Sequence, residues 1–275
     1  MSRLVEKLLR QIGRANKRFG LIESGDHVMV AISGGKDSWG MLDLLRRYAR
    51  RAPFDFTITA VNVDQGHPGF PVDVLRDYFE ANDYPYRIES QDTHSVVVEN
   101  TPEGKAFCAL CSRMRRGILY RVAEQLGATK IALGHHRDDL IETLLLNLFF
   151  AGRTRSMPPR LDGRPGQPAI IRPLALCAEE SLAALALEQE YPVVPCDLCG
   201  SQENLQRQQM KALLAQLEET NPALRGNVLA ALGNVEPSHL LDARLRRVEA
   251  DDEVHPAVVE PGLLQILEPT AQDHL

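Results

Sequence analysis

Short β-branched runs and segments of helical period take turns along most of the chain. Leu4, Leu8 and Ile12, with Val5 and Leu9 beside them, predict a helix over residues 3–19 that carries basic residues on its other face. HVMVAIS (27–33) reads as a buried strand ending at Gly34-Gly35, followed by a helix through MLDLLRRYARR. FTITAVNVD (56–64) repeats the pattern, closing in Asp64 and the turn GHPGFP. VDVLRDYFEANDY is helical, PYRIES predicts a third strand, and KIALG (130–134) a fourth with the helix DDLIETLLLNLFF behind it. AIIRPL predicts a fifth strand and ESLAALALEQE another helix, and residues 203–232 read as two helices interrupted near Asn221-Pro222. The stretch after Phe150, rich in Arg, Gly and Pro, predicts a long exposed loop, and long loops are often functional.

This alternation implies an α/β fold built from βαβ units, with an open, doubly wound parallel sheet and helices on both faces. An N-terminal helix and C-terminal helices are added to it. Three segments are expected: a basic N-terminal helix (1–24), an α/β domain with a cysteine site (25–235) and an acidic C-terminal tail (236–275). Ligands in such sheets sit at the carboxyl ends of the strands. The unusual residues fall there: Ser33–Ser38, Asp64 and Gly134–Asp139.

Composition adds limits. The 275 residues are 44% hydrophobic and 25% charged, which excludes wholesale disorder and fibrous structure. No apolar run reaches the ~18 residues of a membrane span, and the polar N-terminus lacks the features of a secretory signal. A cytoplasmic protein is expected, with no membrane partner. The net charge of −6 conceals an asymmetry. Residues 248–275 hold seven acids and no Lys or Arg, whereas the first twenty hold six bases and one acid. A polyanion therefore remains a possible partner of the body.

The most informative motif is SGGKDS, residues 33–38. A glycine pair between a buried strand and a helix start lets an anion approach backbone N–H groups and the helix dipole. Lys36 adds a point charge, and Ser33 and Ser38 add hydroxyl donors. The loop is neither a Walker A sequence nor the dinucleotide-binding G-x-G-x-x-G. A plain capped turn would not need Lys and Asp between the glycines and Ser38. GHHRDDLIET (134–143) stands at the end of the fourth strand, where Asp138 and Asp139 also suit a helix N-terminus for their charge alone. The five cysteines form two pairs, Cys108-x-x-Cys111 and Cys196-x-x-Cys199, and a lone Cys177 that reads as a small buried hydrophobe. Disulfides are not expected in a cytoplasmic chain. By spacing alone, a structural Cys₄ zinc site and an iron–sulfur cluster stand about level, with a thioredoxin-like redox pair well behind.

SGGKDS resembles the PP-loop of the ATP pyrophosphatases, which adenylate a substrate oxygen and release pyrophosphate. With GHHRDD, CALC (108–111) and PCDLCGSQENLQR (195–207), the chain is similar to the TtcA family of tRNA 2-thiocytidine synthetases over roughly residues 20–235. The resemblance implies ATP binding by Ser33, Gly34, Gly35, Lys36, Asp37 and Ser38, with Gly134 and His135 lining the nucleotide pocket and the backbone at Val63–Asp64 meeting the adenosine. Asp37 and Asp138 are the expected catalytic carboxylates, for Mg²⁺ or for acid–base work. It also implies a [4Fe-4S] cluster on Cys108, Cys111 and Cys199, with one iron left open and Cys196 as the alternative third ligand. Arg115 falls where related thiolases place a catalytic Lys. As an Arg it cannot act as a base, which leaves electrostatic support of the departing phosphate.

The implied reaction adenylates the cytidine 2-oxygen and then replaces it with sulfur, using tRNA, a cysteine desulfurase or other sulfur donor, and a homodimer. Another PP-loop reaction, such as 2-thiouridine or lysidine formation, is the enzymatic alternative, and lysidine formation needs no metal cysteines. A zinc-stabilised nucleotide- or RNA-binding module is the non-enzymatic one. Candidates for tRNA phosphate contact are Arg3, Lys7, Arg10, Arg14, Lys17 and Arg18, with Arg153, Arg155, Arg160 and Arg164 of the long loop.

Overall fold

The computed structural model describes residues 1–67, 69–100, 108–194, 202–243 and 245. Helix α1 (Arg3–Phe19) is capped by Ser2, whose hydroxyl accepts from the Val5 N–H, and ends at Gly20 in the left-handed conformation. Its periodic face buries Val5, Leu8, Leu9 and Ile12 in the main core. The helix set apart in sequence as a basic N-terminal segment therefore belongs to the same compact unit as the sheet, Met1–Leu232. Residues 233 onward form a second unit, within which Pro237–His239 makes a 3-10 turn.

Strand β1 (His27–Ile32) leads into α2 (Lys36–Ala49), β2 (Thr57–Asp64) into α3 (Val72–Ala81), then β3 (Tyr86–Ser90) and a short α4 (His94–Asn100). Helix α5 (Cys108–Gln125) precedes β4 (Lys130–Ala132), and α6 (Arg137–Ala151) follows it. A two-residue β5 (Arg160–Leu161), β6 (Ala169–Ile171), α7 (Glu179–Glu188), α8 (Gln202–Thr220) and α9 (Leu224–Ala231) complete the unit. Among the described residues the sheet order is β3-β2-β1-β4-β6-β5, parallel except for β5 against β6. Such an antiparallel edge strand is common on α/β sheets.

Apolar side chains cover both faces, as a parallel sheet requires. One core gathers α1, α2 and α7 around Trp39, Leu42, Leu45, Phe79, Leu182 and Leu185. The other packs α5, through Ile118, Leu119, Val122 and Ala123, on Met29, Val61 and Ile131. Cys177 lies in the first core, fully buried, and burial pushes its thiol up to about 12.

The chain leaves β1 toward β2 on one side and later enters β4 on the other. The crevice where strand order reverses lies between β1 and β4, above their carboxyl ends. The SGGKDS loop and Gly134 flank that crevice.

Candidate active site

The loop after β1 closes on itself through its two serines. Ser38 Oγ donates to the Gly35 carbonyl at 2.8 Å and accepts from the Ser33 N–H at 3.2 Å, while the Gly35 N–H reaches Ser33 Oγ at 3.3 Å. Gly34 has φ of +87°, a conformation that favours glycine. Helix α2 starts at Gly35 with no side-chain cap, so its first N–H groups and dipole remain turned to the crevice. Gly134 closes the other wall. A Cβ there would lie 3.3 Å from the backbone of Asp37 and Ser38, tighter than ordinary contact, so glycine lets β4 approach the loop without a shift.

Lys36 Nζ contacts Asp37 Oδ2 at 3.0 Å and Glu179 Oε1 at 3.2 Å. Burial works against its ammonium, but the two carboxylates outweigh that and raise its pKa. Asp37 keeps its other oxygen, Oδ1, buried and without a partner. A carboxylate oxygen withdrawn from water and left open beside an anion-binding loop fits a hard divalent cation.

His136 is the N-cap of α6. Its Nδ1 accepts from the Asp139 N–H at 3.4 Å, and Asp139 returns the bond to the His136 N–H at 3.0 Å. Its Nε2 lies 3.4 Å from Asp139 Oδ2 and 3.9 Å from Asp37 Oδ2. The histidine therefore works as a cap that borders the loop. His135 lies beside it with Nδ1 buried and unpartnered. Burial and the nearby Arg172 hold its pKa down to about 4, so its ring is neutral at physiological pH.

Asp138 sits differently from Asp37. Its Oδ2 accepts the Glu179 N–H at 2.8 Å, and its Oδ1 takes Arg225 at 2.8 Å and Arg137 at 3.0 Å. Burial opposes the charge, but these donors outweigh it and lower the pKa. Sequence grouped Asp138 with Asp37 as a metal or acid–base carboxylate. Its oxygens meet three donors, which tie α6 to α7 and α9.

Around the loop lies a wider network that sequence did not single out. Lys211 of α8 bonds Glu179 at 2.9 Å, Arg207 bonds Asp139 at 3.0 Å, and both approach Glu142 at 3.8 Å. Glu142 is fully buried with neither oxygen hydrogen-bonded, and burial raises its pKa to about 7 against the pull of the two cations. Nothing in the LIET run marks that residue, because it takes α8 lying over α6 to bury it.

On the other side of the loop, the β1–β2 ladder ends at Ile32 opposite Asn62, so Val63 and Asp64 project beyond β1. Asn62 Nδ2 donates to the Ile32 carbonyl at 2.9 Å, and its Oδ1 is buried and unpartnered. Gln65 then donates from Nε2 to Thr93 at 3.0 Å and to Cys111 Sγ at 3.2 Å. Cys111 is a free, half-exposed thiol. It lies on the first turn of α5, the helix that Cys108 opens. An N–H donor on sulfur is the outer support that metal thiolates receive. The Cys108 side chain, Cys196 and Cys199 lie outside the described residues, and those that are described bring no three metal ligands together. Arg115, one turn beyond Cys111, is half-buried.

Of the basic candidates, Arg3, Lys7, Arg10, Arg14, Lys17 and Arg18 are all exposed, as are Arg153, Arg155 and Arg164. Arg160 differs: it donates to the Gly20 carbonyl at the end of α1 and pairs with Asp162 at 2.8 Å, a structural duty. Among the described residues, no helix is long and apolar enough to cross a membrane.

Comparison with known proteins agrees with this geometry. The PP-loop domain family matches residues 4–216. A tRNA-cytidine(32) 2-sulfurtransferase of Sorangium cellulosum is 57% identical over 88% of this chain and 86% of its own length. That of Anaeromyxobacter dehalogenans is 55% identical over 90% and 86%, and that of Paraburkholderia phymatum 54% over 89% and 73%. Among solved structures, the U34-tRNA thiolase NcsA from Methanococcus maripaludis, determined with its [4Fe-4S] cluster, superposes with a TM-score of 0.66 at 22% identity, covering 85% of this chain and 80% of that one. At that identity it shows a shared fold. The loop on β1, the glycine wall on β4 and these relatives together place the chain in the PP-loop family, in the TtcA branch of tRNA 2-thiocytidine synthetases.

Proposed function

We propose that this chain is an ATP-dependent tRNA-cytidine(32) 2-sulfurtransferase, forming 2-thiocytidine in the anticodon loop. One observation carries the reading. The anion-binding loop on β1 and the thiol-bearing end of α5 share one sheet edge, joined through neighbouring β2 by Asn62 on Ile32 and Gln65 on Cys111. An activating site and a sulfur site must both reach one base, and adjacent strands lie only about 5 Å apart.

The loop N–H groups of residues 33–38 and the start of α2 hold the ATP phosphates, with Lys36 exchanging its carboxylate contacts for phosphate oxygens. Val63 and Asp64 border the adenosine, and Gly134 and His135 the opposite wall. Asp37, whose Oδ1 is unpartnered, would hold Mg²⁺. The cytidine 2-oxygen attacks the α-phosphorus and pyrophosphate leaves; sulfur then adds to the ring carbon and the oxygen departs as AMP. Arg115 supports charge on the departing phosphate. Cys108, Cys111 and Cys199 would hold a [4Fe-4S] cluster, whose iron would carry the sulfur when bound. The exposed bases of α1, with Arg153, Arg155 and Arg164, position the tRNA phosphates. The enzyme works in the cytoplasm as a homodimer, taking sulfur from a desulfurase or a comparable donor.

The test is release of pyrophosphate and AMP by anaerobically purified protein given Mg²⁺-ATP, unmodified tRNA and sulfide. One of each per 2-thiocytidine is expected. Thiolation that proceeds without ATP cleavage overturns the reading.

A further inference from the structure

Arg172 stands immediately beyond β6, on the edge that carries the loop and His135, and it is 7% exposed. Two proline carbonyls hold it. Its N–H bonds to Pro159 at 2.8 Å, and its guanidinium donates through Nη1 to Pro158 at 2.6 Å. Its Nε is sealed from water and has no partner. No carboxylate among the described residues forms an ion pair with it. Asp139, whose charge reaches it, is already bonded by Arg207 at 3.0 Å and by the His136 N–H at 3.0 Å.

The surroundings deepen the imbalance. Exposed Arg116 of α5 adds a charge of the same sign close enough to disfavour the guanidinium. His135, at the end of the adjacent strand β4, also buries an unpartnered nitrogen, Nδ1. Buried charges are normally paired, and buried polar atoms normally bonded. An unfilled Nε–H and an unpartnered ring nitrogen, which donates in one neutral tautomer, beside an uncompensated guanidinium suit an oxyanion.

We propose that Arg172 and His135, with Arg116 at the rim, form a second oxyanion subsite that binds one phosphate group beside the SGGKDS loop. His135 follows β4, one strand from β1, and Arg172 follows β6, two strands away, so with strands spaced by about 5 Å the subsite lies roughly 5–10 Å from the loop. His135 contributes an Nδ1–H donor in its neutral form, while Arg172 supplies the charge. The phosphate belongs either to the nucleotide or to the tRNA backbone beside the target base. The chemistry is shared and the binding data separate the two.

The inference rests on the reading of the chain as an enzyme that uses ATP and tRNA. Its test is equilibrium binding to the full-length holoprotein of a non-hydrolysable ATP analogue with Mg²⁺ and, separately, of unmodified tRNA across a salt series. Arg172→Gln and His135→Asn are compared with the parent. A tRNA phosphate predicts about tenfold weaker tRNA binding by Arg172→Gln and a salt slope reduced by about one, with the analogue bound as before. A nucleotide phosphate predicts about tenfold weaker analogue binding and an unchanged salt slope. Either result supports the subsite. If the parent binds both ligands and both folded variants match it, the subsite is overturned and the functional reading stands. A parent that binds neither ligand removes both. Should Arg172→Gln fail to fold, Arg172→Lys, which keeps the charge and loses the fork, and His135→Asn decide by affinity alone: each is expected to weaken the same one ligand with its salt slope unchanged.

Discussion

Val194 donates its backbone N–H to the carbonyl of Gly34 at 2.9 Å, and its Cβ lies 3.1 Å from where a side chain on Gly34 would begin. Two further bonds fasten the same strap: Trp39 Nε1 to the Pro192 carbonyl at 3.1 Å and the Tyr191 hydroxyl to Asp43 at 2.8 Å. The chain that runs on toward Cys196 and Cys199 is thus anchored to the nucleotide loop just before the cysteines. Gly34→Ala meets both the strap and a left-handed φ, a conformational cost of about 1–2 kcal/mol before the clash is counted. ATP-analogue affinity is expected to fall at least about tenfold, read by calorimetry, and unchanged affinity would contradict the cradle described for this loop.

Asp37→Asn tests the open oxygen at the loop. It keeps the shape, retains contact with Lys36 and removes the charge that a divalent cation needs. Pyrophosphate release is expected to drop by about a hundredfold or more, in the range seen when an electrostatic partner of a transition state is removed. Raising Mg²⁺ should recover part of it. Asp138→Asn is expected instead to lower thermal stability, because its carboxylate serves Arg137, Arg225 and the Glu179 N–H. Equal loss of pyrophosphate release in both variants, with equal stability, would return Asp138 to the catalytic pair.

Glu142 and His135 give stability opposite pH slopes. Glu142 is raised from 4.5 to about 7, so its contribution is complete below about 4.5 and is lost as pH rises through about 7. His135 is lowered from 6.5 to about 4, so its contribution is present above 6.5 and is lost as pH falls through about 4. Glu142→Gln removes the first slope. The variant should be more stable than the parent at pH 8, by about 3 kcal/mol, with the gap closing toward pH 5. Urea unfolding at both values checks it, and a variant no more stable at pH 8 would show that Lys211 and Arg207 already satisfy the carboxylate.

Cys111→Ser is expected to lose iron and the cluster absorbance while far-ultraviolet dichroism stays native. Cys111 lies at the half-exposed start of α5, away from the buried cores. The parallel change Cys177→Ser should keep the iron and instead cost stability, since it places a hydroxyl in a fully buried apolar position. Retention of full iron in Cys111→Ser would remove that residue from the ligand set.

The alternation of β-branched runs with helical periods makes the sheet legible: β1 and β2 are long enough to show their pattern, while the three-residue β4 and β6 are marked by apolar residues running into Gly134 and Arg172-Pro173. SGGKDS was legible for the same reason, as its chemistry is contiguous. What escaped was not contiguous. Strand β5 has two residues and no period to display. Helix α5 mixes Cys, Arg and Met over its first turns and presents a weak apolar stripe. Asp138 and Asp37 look alike in sequence and differ only because α7 and α9 bring donors to one of them. Glu142 and Arg172 look like ordinary surface charges until α8 and the Pro158-Pro159 turn cover them. In each case the deciding partner lies far along the chain, where local pattern carries no information.

In the proposed reaction one chain activates a cytidine with ATP and delivers sulfur to it. Nucleoside mass spectrometry of unmodified tRNA, after incubation with anaerobically reconstituted protein, Mg²⁺-ATP and sulfide, tests both halves at once. 2-Thiocytidine is expected at position 32, absent when ATP is omitted and absent with Cys111→Ser. Sulfur found on uridine, or no thiolated base while ATP is still cleaved, would contradict it.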